Sequence, residues 1–409
     1  MSSELAAAVA ELRSPRTIRE RCARVLEAGL RGELAHFAVD LERLPEAARI
    51  TARMTRTRYP DLQIPAHSRF AHFDAGGVRR LAALERELAT RGPREHARVL
   101  ADVVIASVLL DAGAGPDWHY HEPQSGLRLA RSEGLAVASL AWVGTGGLSS
   151  RGAAHEVDAA GLIAVDEPSF ARAFQLGPDN PLVGVQGRVH LLRALGEALL
   201  ARPDVFTPVG RLGAIVDHLW ARADGGVLAA ESILAEVLDC FGSIWPGRLA
   251  LGGAPLGDTW PHAAAGGEGL SAGLVPLHKL SQWLCYSLLH ALHVSGLAVR
   301  ELDALTGLAE YRNGGLLVDT GVLAPRDPAA TSAVHEVGSE LVVEWRALTV
   351  ALLDRLAPLV RGELGLDAAR LPLCAVLEGG TWAAGRALAQ QLRADGAPPF
   401  RIQSDGTVF

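Results

Sequence analysis

Apolar positions recur at helical spacing through most of the chain. The stretch 3–29 is rich in Ala, Leu and Arg, with acids four residues from arginines, and predicts a helix. A second runs over 44–57 and stops before Tyr59-Pro60, where proline cannot continue it. Residues 78–110 predict two helices split at Gly92-Pro93. Another spans 132–143, with Ser132 as its N-cap. The same spacing predicts helices over 182–202, 208–222, 228–241, 275–295, 298–312, 333–360 and 380–394. Strand signals are short: 127–129, 373–379 and 400–409, the last ending in an apolar Thr407-Val408-Phe409 that predicts a docked end. Loops fall at 111–126 and 242–273, the second rich in Gly, Pro and Ala. No fixed-period repeat is present. The pattern predicts a mainly α protein with a few short strands. It is expected as one helix-rich unit over 1–409, with lobes at 1–110 and 111–409.

Composition adds exclusions. Of 409 residues, 49% are hydrophobic and 21% charged, enough to bury a large core and too few charges for a disordered chain. The net charge of −7 argues against a nucleic-acid footprint, which needs a basic face. Cys22, Cys240, Cys285 and Cys374 are scattered among apolar neighbours and read as buried thiols of a reducing compartment. The first residues lack a basic segment followed by an apolar run, and no apolar stretch reaches membrane-spanning length. A cytoplasmic protein is expected, with no membrane and no nucleic acid among its partners.

The basic residues are uneven: Lys279 is the one lysine among 39 Lys and Arg. Arginine keeps its proton, whereas a buried lysine can give its proton up, so a lone lysine is a candidate for chemistry. The bland alternative is a chance survivor on a solvated face. Lys279, Gln282, Trp283 and Tyr286 share one helical face, which suits the wall of a polar pocket or simply an amphipathic helix. A second cluster is Glu310-Tyr311-Arg312, read as the end of a helix before an Asn313-Gly314-Gly315 turn. An acid is disfavoured at a helix C-terminus, so Glu310 is out of place there. A carboxylate beside a guanidinium stays ionised, as stabilisation of a cationic transition state requires.

Other constellations are weaker. Asp111, Asp117, Glu122 and Glu133 lie near Trp118, His119, Tyr120 and His121. His119, His121 and Glu122 have the look of a metal-ligand string, but an isolated His-x-His needs a distant partner. Glu340 and Glu344 are a like-charge pair four residues apart that needs a cation, for which Arg312 or Arg346 would serve. Gly379-Gly380-Thr381, before Trp382, offers amides to an anion or makes a plain turn. His67 and Arg69, in IPAHSRFAHF, are possible anion ligands. Neither a P-loop nor a GxGxxG string occurs, which disfavours kinase and redox roles.

IPAHSRFAHF, DAGAGPDWHYHE, RSEGLAVASL, LTGLAEYRNGGLLVDTGVL, EWRALTVALLD, LEGGTWAAGR and PPFRIQSDGTVF together resemble the uracil-catabolism (URC pathway) family of fungi and bacteria. These strings run from about Ile64 to Phe409. The resemblance implies a part in the route that degrades uracil without first reducing the ring, with ribosylurea a proposed intermediate. A more distant resemblance is to queuosine salvage N-glycosylases. Lys279-Leu280-Ser281-Gln282-Trp283-Leu284 is similar to their Lys-Arg-Ala-Gln-Ile-Leu helix. Leu308-Ala309-Glu310-Tyr311-Arg312 is similar to their Phe-Ala-Asp-Tyr-Arg, with glutamate in place of aspartate, and Glu344-Trp345-Arg346 to their Glu-Ile-Arg. This resemblance implies a helical DNA-glycosylase-like scaffold and hydrolysis of an N-glycosidic bond without a cofactor or metal.

The expected substrate is a small ribosyl compound, ribosylurea or its 5′-phosphate. Glu310 then takes the carboxylate role and Lys279 donates a proton or holds a ribosyl oxygen or phosphate. Arg312 and Arg346 would orient Glu310 or bind a phosphate. Trp118, Trp283 or Tyr311 would stack on the substrate. Gln282, Asp111, Glu133, Glu344 and Trp382 complete the expected contacts. Two other functions remain open at this point: a metal-dependent ureido or amide hydrolase using His119, His121 and Glu122, and a non-catalytic partner of other uracil-pathway enzymes.

Overall fold

A computed structural model describes residues 2–207, 209–245 and 249–403, so the expected docked end at 407–409 lies outside the described residues. The protein is mainly α, with short paired strands. The chain divides into two units that interleave in sequence. Among the described residues, the first takes 2–67, 249–282 and 301–403, and the second takes 68–245 without Pro208, and 283–300.

In the first unit the centre is the helix Glu340–Leu364. Every residue from Leu341 to Leu353 is buried, so this helix is enclosed around its whole circumference and neighbours must cover each side. Helices Pro15–Leu30 and Leu44–Arg58 do so. The expected helix 3–29 is broken at Arg13-Ser14, where Ser14 caps a new helix that opens on Pro15. Short strands tie distant segments together. Phe37–Val39 pairs antiparallel with Leu323–Pro325, Thr259–Pro261 pairs antiparallel with Leu274–Pro276, and Val334–Glu336 runs parallel to Arg401–Gln403.

The second unit is built on Gly92–Leu109, buried at every position from Val99 to Leu109. Arg131–Gly144 and Ile215–Ala221 pack against it, and the hairpin His119–His121 with Arg128–Ala130 lies at one end of Arg131–Gly144. All four cysteines are buried in apolar surroundings, which push their thiols well above the usual range. Among the described residues no helix is long and apolar enough to cross a membrane.

Four local expectations are corrected, the first being the helix over 333–360, which begins only at Glu340 after the strand Val334–Glu336. Residues 298–312 do not form a helix: a strand Ala298–Arg300 and a turn Leu302–Ala304 precede a helix that starts at Tyr311. Residues 373–379 are not a strand but the helical turns Leu373–Val376 and Leu377–Thr381, the latter wound as a π-turn. Ser132 does not cap its helix, whose first turn follows Ala130 without a side-chain cap.

Candidate active site

Glu310 sits at the start of a helix, not its end. It is the N-cap of Tyr311–Asp319, and its carboxylate accepts from the amides of Arg312 at 2.7 Å and Asn313 at 2.5 Å. The two glycines that suggest a turn lie inside this helix, and packing explains the first of them. A Cβ on Gly314 would stand 2.7 Å from the Trp345 indole, so only glycine lets this helix approach Glu340–Leu364 so closely. Asn313 completes the cap region, donating to the Leu308 carbonyl and accepting from Thr381. Glu310 is buried, and burial pushes its carboxyl up. The amides of Arg312 and Asn313 and the charges of Lys279 and His67 pull it back only in part, so it stays above its ordinary value.

Lys279 opens the helix Lys279–Val294 and is buried. Asp258 sets this start. The Asp258 carbonyl accepts from Leu277 at 2.9 Å and His278 at 3.3 Å, and its carboxylate accepts from the Lys279 amide at 3.0 Å. Between them His278 is held at a φ of 44°, a left-handed conformation that non-glycine residues rarely adopt. The Asp258 carboxylate also takes both terminal nitrogens of Arg346 at 2.7 Å each and the Trp260 indole at 2.6 Å. Although burial alone would raise it, these donors hold the carboxyl well below its ordinary value. Arg346 Nε reaches the carbonyl of Ala309, next to Glu310. One buried ion pair therefore positions the backbone on both sides of the centre, at Lys279 and at Glu310.

A third acid completes the first unit's polar interior. Glu378, on the π-turn, accepts from His67 Nδ1 at 2.8 Å, Tyr59 at 2.8 Å and Arg58 Nη2 at 2.9 Å. Burial would raise this carboxyl, but these partners, led by His67, hold it at about 2. The π-turn is widened where Gly380 crosses the helix Leu44–Arg58; a Cβ there would lie 2.5 Å from the Thr51 carbonyl oxygen. His67 thus has one nitrogen fixed by a carboxylate, and its charge acts on Glu310.

The remaining expected residues are distributed unevenly. Gln282 is fully buried, with its amide exchanging hydrogen bonds with Thr306 and donating to the Leu277 carbonyl. Arg312 donates to the Gly396 carbonyl and lies over the half-buried Tyr311 ring. Glu344 accepts from the amides of His36 and Phe37, anchoring the strand Phe37–Val39, and its second oxygen faces His262 at 3.5 Å. Half-buried Trp382 carries Arg386 over its ring. Arg346 is committed to Asp258, and it is His36 and His262, each at 3.5 Å, rather than Arg346 that face Glu340 and Glu344.

Trp118, Asp111, Glu133 and Trp283 belong to the second unit. Trp118 is a core residue, fully buried, whose indole donates to the Phe174 carbonyl at 2.9 Å. Asp111 pairs with Arg69 at 2.8 Å, and Glu133 adds a second negative charge facing that arginine. The Trp283 ring lies 5.6 Å from the Arg69 guanidinium. The proposed metal string is divided: Arg80 grips Glu122 with two nitrogens at 2.6 and 2.5 Å, and His119 bonds to the Asp117 carbonyl. Among the described residues the groups close enough to share an ion are His218, Glu236 and Cys240 instead. There Glu236 already bonds to His218 and Arg222.

A mainly α protein with a buried, helix-capping glutamate that feels the charge of a buried lysine is the class that fold and site define. The chain belongs to the family described as "Protein of unknown function (DUF1688)", whose model matches residues 11–409. It is 38% identical to Uracil catabolism protein 4 of Lachancea kluyveri, over 92% of this chain and 93% of that protein. It is also 38% identical to Protein urg3 of Schizosaccharomyces pombe, over 98% of this chain and 99% of that one.

Proposed function

We propose that the protein acts in uracil breakdown as an N-ribosyl hydrolase, cleaving ribosylurea or its 5′-phosphate to urea and ribose or ribose phosphate. The relatives' names support the pathway. The observation that carries the reaction is Glu310: a buried carboxylate held by two amides, lifted by burial, and facing the positive charges of Lys279 and His67. Cleavage of an N-riboside passes through an oxocarbenium-like transition state, and a fixed anion stabilises that charge.

In the reaction the bond between the anomeric carbon and the urea nitrogen breaks, and the bonding pair stays on nitrogen. Water attacks the carbon. Glu310, whose raised affinity for protons suits it to a base, takes a proton from that water. Lys279 supplies a proton to the leaving nitrogen. Proton return from Glu310 to Lys279 restores the centre, so the balance is water plus substrate giving urea and the free sugar. The distant likeness of this lysine helix and Ala-Glu-Tyr-Arg string to N-glycosylases supports the same roles. Hydrolysis at the 119–122 loop has less support, because Arg80 already occupies Glu122.

The test is direct. Purified, chelator-treated protein is incubated with ribosylurea and its 5′-phosphate, and free urea and sugar are followed by mass spectrometry. Equal release of both products supports the proposal and shows which sugar form is preferred. No release with either compound, or release only after metal is restored, overturns it.

A further inference from the structure

The second unit contains a buried polar cluster that the reaction at Glu310 does not use. Its centre is Arg69, which is fully buried. Nε donates to Ser107 at 2.8 Å, and Nη1 reaches Asp111 at 2.8 Å and Ser132 at 2.9 Å. Nη2 is buried and has no hydrogen-bond partner among the described residues. A buried guanidinium donor left unmade costs more than a typical hydrogen bond contributes, so the arrangement calls for an acceptor from outside.

The surroundings restrict what that acceptor is. Arg69 is neutralised by Asp111, and Glu133 adds a second negative charge. Arg188 also acts on Asp111, and its own donors are spent on the carbonyls of Leu110, Ala112, Gly113 and Val183. Among the described residues, Arg69 and Arg188 face Asp111 and Glu133, a balance of charge that suits a neutral ligand better than a phosphate. The Trp283 ring lies 5.6 Å from the Arg69 guanidinium and 5.8 Å from the His72 ring, so the cluster is bordered by flat aromatic surfaces. A carbonyl oxygen satisfies the donor, N–H groups suit the carboxylates, and a planar neutral group suits the rings.

The geometry points to Arg69, with Asp111 and Trp283, as a binding site for a neutral ureido group. Choosing a ureido group over another amide rests on the proposed function; the need for a neutral, planar carbonyl compound does not.

The experiment uses ligand-observed NMR of the full chain with N-methylurea, against inorganic phosphate as competitor. Wild type is expected to bind N-methylurea and to be indifferent to phosphate. Arg69→Lys keeps the charge on Asp111 but loses the Nη2 donor, and should weaken binding about tenfold or more. Should that variant fail to fold, Asp111→Asn serves instead: it removes a negative charge at constant shape and is expected to lose N-methylurea and admit phosphate. Unchanged N-methylurea binding in a folded variant overturns the site, as does displacement by phosphate from wild type. The outcome is separable from the hydrolase proposal. Binding that depends on Arg69 without hydrolysis of ribosylurea removes the reaction and keeps the site. Hydrolysis of ribosylurea by a chain whose N-methylurea binding does not depend on Arg69 does the reverse.

Discussion

Glu310 and Glu378 lie in the same unit, both buried, and burial pushes on both alike. One ends above its ordinary value and the other at about 2. The difference is in the partners. Glu378 is gripped by the side chains of His67, Arg58 and Tyr59, all within 2.9 Å. Glu310 has two backbone amides at hydrogen-bond distance, and its positive neighbours act on it as charges. Amides satisfy a carboxylate without neutralising it, so Glu310 keeps an appetite for a proton that Glu378 has lost. Pairs of acids driven apart in this way are the usual arrangement of acid–base centres. On the proposed reaction, the contrast supports chemistry at Glu310 and orientation of His67 by Glu378.

The sharpest way to break that contrast is Glu310→Gln. The one remaining amide oxygen still accepts from one of the two cap amides, so the protein should fold. Turnover of ribosylurea should fall about a thousandfold, the scale of losing a charge-stabilising base. Relief of the buried charge should offset the lost cap acceptor, so stability at neutral pH should change little. A carboxyl raised in the folded state contributes stability below its unfolded value and loses it as pH rises through the folded one, so removing it relieves a cost. Thermal melting and steady-state kinetics check both; near-normal turnover removes Glu310 from the reaction. Lys279→Met should follow, with a loss of about a hundredfold in kcat and an intact fold.

The pH profile comes next. Because burial lifts Glu310, the acidic limb of kcat should lie above pH 4.5, the ordinary value for a glutamate. A limb below that pH would show that an acid held low, such as Glu378, is the group being titrated.

How much of this was legible in the chain varies with the kind of signal. Helical periodicity located Leu44–Arg58, Gly92–Leu109 and Val185–Ala201 closely, because their apolar faces are broad. It misplaced the boundary at Glu310, since Gly314-Gly315 carries turn chemistry in sequence while Gly314 serves close helix packing in space. That Glu310 was out of place at a helix C-terminus was the correct clue, and its resolution is that the helix starts there. The run 373–379 was misread because short apolar stretches do not distinguish a strand from a buried helical turn. Lys279 stood out by its rarity. Asp258 and the His67–Glu378 pair did not, because the pair spans 311 residues and no local spacing joins them. The faint signals were an aspartate in a Gly-rich loop and a glutamate within an apolar run.

Glu378→Gln tests the other half of the contrast. It removes the charge from beneath His67 and Arg58, and should destabilise the fold by about 3 kcal/mol at neutral pH. The direction with pH is specific. A carboxyl held at about 2 rather than 4.5 contributes stability above pH 4.5 and loses it as pH falls toward 2. The gap between wild type and variant in denaturant melts should therefore close over that window. A gap that stays constant would mean the stabilisation comes from packing, not from the charge.

Tyr59→Phe gives the smallest effect and divides the Glu378 environment most finely. The phenol donates one neutral hydrogen bond at 2.8 Å, while His67 and Arg58 bring donors and positive charge. Its loss should cost about 1 kcal/mol, the worth of a single such bond. Glu378 should remain ionised, since both cationic partners remain, and kcat should stay within about twofold because His67 keeps its carboxylate. Denaturant melts of the single and double variants of Tyr59 and Glu378 measure this. If Tyr59→Phe alone matched Glu378→Gln in stability and turnover, the phenol would be what holds the carboxylate. The contrast with Glu310, which rests on charged side chains gripping one acid and amides the other, would then be wrong.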